Sequence, residues 1–216
     1  MKSVLIIGMG AFGQHLALKM VDLKNDVMII DKNEEIVEEL SSIVTDANIG
    51  DCTKEEVLKS LGVSNFDICF VTIGDNFQSS LEITSLLKDL GAKYVISKSS
   101  RDLQEKFLLK NGADEVIYPD KDMAEKLAVR CSASSLFDFI EITPDYSIFE
   151  MNVMKSWIGF TIEEINVRKR YHINILVIKN GKNVLTMPKA DYIFQREDYV
   201  IVMGKSSDII KLANNI

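Results

Sequence analysis

The sequence predicts an α/β fold, a doubly wound parallel sheet followed by a smaller α+β unit. Three observations predict it. Apolar, β-branched runs alternate with helix-period segments through the first part of the chain. A glycine-rich turn, Gly8-Met-Gly10-Ala-Phe-Gly13, joins the first such run to an amphipathic segment. Near the other end an Asn180-Gly181 pair separates two alternating runs, the strongest short hairpin signal.

Taken in order, residues 3–7, 27–30, 47–49, 67–73, 94–97 and 115–118 read as strands, each followed by a helical stretch or a short connection. The helix after the third strand has a start signal in Thr53-Lys-Glu-Glu56, where hydroxyl and carboxylate are expected to cap each other's backbone donors. Strand-helix repetition of this kind demands parallel crossovers with helices on both faces. The sheet is expected to end near Pro119. From 120 to 139 the pattern Met123, Leu127, Val129, Leu136, Phe137 predicts one long crossover helix, and Thr143-Pro144-Asp145 marks the break after it. The first domain is therefore expected over 1–140 and the second over 141–216. The second reads as strand 147–153, short helix 161–165, strand 173–178, the Asn180-Gly181 turn, strands 183–186 and 199–203, and a terminal helix 208–214. A unit of that size lies near the lower limit for independent stability, so dimerisation is expected to add burial.

The 216 residues suffice for one full α/β domain and a small appendage, and leave no room for a separate large catalytic domain. With 47% hydrophobic and 26% charged residues the balance is that of a globular protein. A formal charge of -7, from 32 acidic and 25 basic residues, argues against a nucleic-acid partner, which demands clustered Lys and Arg. No apolar run approaches the roughly 20 residues that span a bilayer. The strand-like opening is too short for a signal sequence, and the expected location is the cytoplasm. Cys52, Cys69 and Cys131 are odd in number and widely spaced, as for reduced, mostly buried thiols. His15 and His172 lie far apart, which supplies neither a metal site nor nucleophilic catalysis well.

The glycine turn carries the chemistry. Gly8 suits a tight strand-to-helix turn, Gly10 admits a pyrophosphate close to the backbone, and Gly13 lets helix and strand pack closely. Phosphates then meet free N–H groups at a helix N-terminus. Asp31 ends the second strand eighteen residues after Gly13, where its carboxylate accepts ribose hydroxyls and repels a 2′-phosphate. NAD or an adenosine nucleotide is favoured over NADP. A Walker loop is excluded by Gln14, where a phosphate-binding Lys would stand. Gly50-Asp51-Cys52-Thr53 follows the third strand at the carboxyl edge, so Asp51 is either a ligand contact or a plain turn residue. Tyr94 and Lys98 match a dehydrogenase Tyr-x-x-x-Lys spelling, but on a strand they lie about 13 Å apart, too far for proton transfer. Arg168-Lys169-Arg170 after Glu163-Glu164 reads as a solvated helix end or an anion site.

With these motifs, Asn111-Gly-Ala-Asp114, Tyr118-Pro-Asp-Lys-Asp-Met123 and the small C-terminal unit together, the chain resembles the regulatory subunits of Trk/Ktr potassium-uptake systems over essentially its whole length. The resemblance implies a Rossmann-like N-terminal RCK domain and a C-terminal ligand-binding and dimerisation subdomain. It implies binding of ATP/ADP or NAD(H), dimers assembling into an octameric ring, and gating of a membrane-embedded potassium channel or transporter subunit. It places the protein at the inner face of the membrane as a peripheral subunit. Carried over by position, Gly8, Gly10, Ala11, Phe12 and Gly13 form the phosphate turn, Asp31 the ribose acceptor, and Asp51 with Cys52 the adenine side. Lys98 is the phosphate-facing base, and Lys32, Ile73 and Gly74 complete the cofactor-binding set. Asp120 falls where relatives carry a divalent-cation ligand, although a helix N-cap after Pro119 also accounts for it. Arg168, Ile173, Asn174, Ile175 and Pro188 resemble a cyclic di-AMP surface, while Ile173 and Ile175 also suit plain strand positions. Ala11 departs from the pattern: Ktr-type relatives commonly place an Arg there for the terminal phosphate of ATP, so NAD(H) or another nucleotide gains ground.

These readings describe a non-enzymatic regulator in which bound nucleotide changes the arrangement of paired domains and thereby the channel. The alternative is a small NAD-dependent oxidoreductase, which lacks an evident proton donor. A redox-sensing transcription factor lacks a recognition helix.

Overall fold

In the computed structural model, residues 1–132 and 136–213 are described. Strand β1 (Ser3–Ile7) is apolar from Val4 to Ile7 and buried there on both faces, the requirement for a central parallel strand. Around it lie β2 (Asp26–Asp31), β3 (Asp46–Ile49), β4 (Ile68–Val71), β5 (Val95–Lys98) and β6 (Glu115–Ile117). Every pairing is parallel and the order is β3-β2-β1-β4-β5-β6. This is the doubly wound dinucleotide-binding order, which reverses between β1 and β4 and leaves a crevice at their carboxyl ends.

Period-2 geometry divides the core into two layers. Val4, Ile6, Val27 and Ile29 pack with Ala17 of helix α1 (Ala11–Asp22) and Leu40 of α2 (Glu34–Ser41). Leu5, Ile7, Ile30 and Val71 pack with Leu58 of α3 (Glu55–Leu61) and with Ile83 and Leu87 of α4 (Phe77–Asp89). Each of the Val, Leu and Ile side chains stabilises the fold by about 1.5–3 kcal/mol through its removal from water. Helix α5 (Asp102–Lys110) precedes β6. The start signal expected at Thr53 is not used. Lys54 is the N-cap of α3 without a side-chain bond, because the Thr53 hydroxyl is taken by Asp51.

The chain divides into compact units Met1–Lys121 and Asp122–Ile216, a division inside helix α6 (Pro119–Ser132) and not at residue 140. The expected helix over 120–139 is corrected: α6 ends at Ser132, and strand β7 (Leu136–Thr143) follows. Residues 133–135 of that span, and Asn214 of the expected terminal helix, lie outside the described residues. Strand β7 forms because β8 (Tyr146–Asn152) offers it an antiparallel partner, with Phe139 stacked on Phe149 at 5.3 Å.

The second unit is an antiparallel sheet, β10-β9-β11-β8-β7, with β9 (Ile173–Asn180), β10 (Asn183–Thr186) and β11 (Asp198–Lys205). The hairpin loop is Gly181-Lys182, one residue beyond expectation, since Asn180 pairs with Asn183. Gly181 takes φ +56°, as a tight hairpin turn requires. Short helices α7 (Ile162–Ile165) and α8 (Val167–Tyr171) and the last helix α9 (Ser206–Ala213) complete it. A capping box stands at α7, where Thr161 and Glu164 bond each other's backbone N–H groups. The core of this unit is Phe149, Met151, Trp157, Ile173, Phe194 and Val200.

Candidate functional site

A cleft of about 340 Å³ opens at the carboxyl ends of β1, β2 and β4. Its floor is apolar, from Ile7, Ile30 and Ile83. One wall is the glycine turn. Gly8 holds φ +97° and donates its N–H to the Ile30 carbonyl at 3.0 Å, which ties the turn to β2. The buried Thr72 hydroxyl lies 2.5 Å from the Gly8 carbonyl oxygen and 3.1 Å from that of Ile7. A Cβ at Gly13 would lie 2.1 Å from the Gly8 oxygen, so only glycine lets α1 seat against the strand end. Gly10 is the N-cap of α1 without a side-chain bond, and a Cβ there would meet no protein atom within 4 Å. With no acidic residue in its first turn, α1 presents its end amides and positive dipole end to an outside anion.

Opposite the turn, Asp31 accepts the Met9 N–H at 2.5 Å and the Asn33 N–H at 2.8 Å. The carboxylate is thereby fixed at the mouth of the cleft. Lys32 lies beside it and pairs with Asp51 at 3.0 Å. The hydroxyl and backbone N–H of Thr53 both donate to Asp51, at 2.6 and 3.1 Å. Thr53 first, and Lys32 after it, hold the Asp51 carboxyl at about 2 against an opposing cost of burial. Burial pushes the neighbouring Cys52 thiol up to about 12, with the charges of Asp51 and Asp31 acting in the same direction. That thiol is a neutral wall of the cleft.

The third side is the segment between β4 and α4. Thr72, Ile73, Gly74, Asp75 and Asn76 line it, and Asn76 caps α4 by accepting the Ser79 N–H at 3.1 Å. Lys98, at the end of β5, is largely buried and lies 5.7 Å from the centroid of the Phe12 ring and 3.8 Å from Asp120. A Cβ at Gly74 would stand 3.3 Å from its ammonium, so Gly74 gives the lysine room.

Of the expected cofactor positions, Gly8, Gly10, Asp31, Lys32, Cys52, Ile73 and Gly74 line the cleft itself. Ala11, Phe12 and Gly13 open helix α1 behind the turn, Asp51 acts through Lys32, and Lys98 stands beside Phe12 and Gly74. Gly50, Thr72, Asp75, Asn76 and Ser79 were not expected. The Asn76-x-x-Ser79 cap at the end of a central strand was the signal available for the last two. Tyr94 precedes β5 and donates its hydroxyl to Glu115 at 3.1 Å, at the opposite end of that strand from Lys98.

Two sets fare differently. Helix α6 begins at Pro119, so Asp120 lies in its first turn and is not the N-cap. Beside the Lys98 ammonium it is one carboxylate, and among the described residues no three candidate metal ligands gather. In the second unit Arg168 and Asn174 are exposed, and Pro188 is half-buried. Ile175 packs partly against the core, and Ile173 is fully buried in it as a strand position of β9's inner face.

Residues 4–119 match the TrkA-N domain and residues 147–216 the TrkA-C domain. The chain is 36% identical over 215 residues to Ktr system potassium uptake protein C of Bacillus subtilis (strain 168), covering 100% of this chain and 97% of that protein. It is 34% identical over 213 residues to Ktr system potassium uptake protein A of the same organism, covering 99% and 96%. Among solved structures, the GsuK channel bound to NAD superposes with a TM-score of 0.69 at 17% identity. That match takes in 99% of this chain and 39% of the channel, and shows the fold. Among the described residues no helix is long and apolar enough to cross a membrane.

Proposed function

The chain belongs to the Trk/Ktr family of potassium-uptake regulatory subunits, a TrkA-N domain followed by a TrkA-C domain, and from that premise we propose that it is a nucleotide-responsive regulator of a membrane-embedded potassium channel or transporter. The observation that carries this reading is the uncapped N-terminus of α1 facing a cleft whose far side holds a fixed Asp31. Backbone amides and dipole receive a pyrophosphate, and Asp31 keeps acceptor capacity for ribose hydroxyls. Lys98 adds a partly desolvated cation at the phosphate end.

Charge favours NAD(H) over ATP. Asp31, Asp51, Asp75 and Asp120 lie in or beside the cleft against Lys32 and Lys98, and Lys32 is already paired with Asp51. A pyrophosphate diester brings two negative charges to that balance and a triphosphate brings about four. With Ala11 in the turn, a γ-phosphate finds no guanidinium there. The regulator is not an enzyme in this reading: Cys52 stays protonated and Tyr94 is engaged with Glu115. It works in the cytoplasm as a homodimer within a ring of subunits, an octamer, docked at the inner face of the membrane. Nucleotide acts through its difference in affinity between two ring shapes, and moving such a balance from 1:99 to 99:1 takes roughly 5.5 kcal/mol shared among subunits. Cyclic di-AMP is a second effector in this reading, met by Arg168 and Asn174 on the TrkA-C domain.

Isothermal titration with NAD, NADH, ADP and ATP tests the reading. NAD or NADH binds most tightly, and Lys98→Gln weakens it about tenfold, about 1.4 kcal/mol. Failure of every nucleotide to bind below the millimolar range, together with a strictly monomeric protein in light scattering, overturns it.

A further inference from the structure

The second unit has a cavity of its own, about 270 Å³, between the 3-10 turn Lys155–Trp157 and helices α7 and α8. Trp157 and Ile165, both buried, and the half-exposed Phe160 give it apolar walls. Its polar groups are unusual in kind. Among the described residues the Arg170 guanidinium, the Tyr171 hydroxyl and the Ser156 hydroxyl have no hydrogen-bond or ion-pair partner, and Trp157 Nε1–H is buried without an acceptor. The unpartnered hydroxyls and guanidinium are donors available to an acceptor in the cavity. The one lining residue with a carboxylate, Glu164, does not supply it. Its Oε2 accepts the N–H and the hydroxyl of Thr161, at 2.8 and 2.9 Å, and these bonds hold its carboxyl below the usual range.

The geometry points to a binding site for a small carboxylate with an apolar body, of about the size of benzoate. The guanidinium fork of Arg170 matches a carboxylate through two parallel hydrogen bonds, with Tyr171 and Ser156 as further donors. Trp157 and Phe160 flank the body. One arginine beside an ionised Glu164 suits a single negative charge better than a phosphate dianion. None of Arg168, Asn174, Ile175 or Pro188 lines this cavity, and the site is independent of the nucleotide cleft.

Trp157 is the only tryptophan of the chain, so its emission reports occupancy directly. The full-length protein is titrated with sodium benzoate, with sodium acetate, and with sodium chloride at equal ionic strength. Benzoate changes the emission saturably, acetate does so at concentrations about tenfold higher for want of an apolar body, and chloride has no effect. Arg170→Gln, at an exposed position, raises the benzoate requirement by about tenfold or more with unchanged circular dichroism. Phe160→Ala abolishes the preference for benzoate over acetate. Absence of a saturable change, an equal change with chloride, or an unaltered response in Arg170→Gln overturns the proposal. If Arg170→Gln does not fold, Phe160→Ala decides: loss of the benzoate preference supports the site, and its retention overturns it.

Discussion

The backbone of Gly13 sits so close to the carbonyl of Gly8 that a methyl group on Gly13 would lie 2.1 Å from that oxygen, while at Gly10 the same methyl group would meet nothing within 4 Å. The two glycines therefore answer to different demands: Gly13 is required by the fold itself, whereas packing within the protein makes no such demand at Gly10.

Gly13→Ala must push α1 off the end of β1 and costs about 1–3 kcal/mol as overpacking. Gly10→Ala leaves stability within about 0.5 kcal/mol and lowers nucleotide affinity about tenfold or more, about 1.4 kcal/mol. Thermal melts and calorimetric titrations of both variants check the contrast. Equal destabilisation by the two substitutions refutes it.

Asp51 contributes stability that depends on its charge. Its carboxyl is held at about 2 against an ordinary 3.8, so the contribution is complete above the ordinary value and is lost as pH falls towards about 2. Wild type should exceed Asp51→Asn in melting temperature at pH 5, with the gap closing between pH 4 and pH 2. Because the side chain is about a third exposed, solvent screening reduces the size of the gap. A gap that does not change with pH removes the charge from the explanation.

The folded protein should take up one equivalent of iodoacetamide at pH 8. Cys131 is exposed, while burial raises both Cys52 and Cys69 to about 12 and keeps them as thiols. Mass spectrometry of labelled Cys131→Ser should show no modification until the protein is denatured. Labelling of Cys52 in the native state contradicts the inert wall assigned to it.

Local features were the legible ones. The apolar run 3–7, the three glycines and the placement of Asp31 depend on neighbours within one strand-turn-helix, and period and spacing reveal them. Strand β7 was hidden because Leu136, seven residues after Val129, fits a helical period, while its strand character depends on the distant edge of β8. Thr53 was read as a cap from its spacing to Glu56, yet Asp51, two residues earlier, competes for the hydroxyl and wins. Thr72 carried no signal, since its partner Gly8 lies 64 residues away. Lys98 and Asp120 were legible through family likeness, and their proximity to each other only through the fold. Trp157 and Arg170 come together around α7 and α8, and no linear motif announces that meeting.

The bond from Met9 to Asp31 makes that carboxylate and the loop before α1 a single mechanical unit. Cofactor engineering commonly exchanges such an acid for a small residue so that a phosphorylated ribose is tolerated. In this molecule the exchange also removes the strut that orients the loop before α1, so on the proposed function changed selectivity would arrive together with a slackened grip on every dinucleotide.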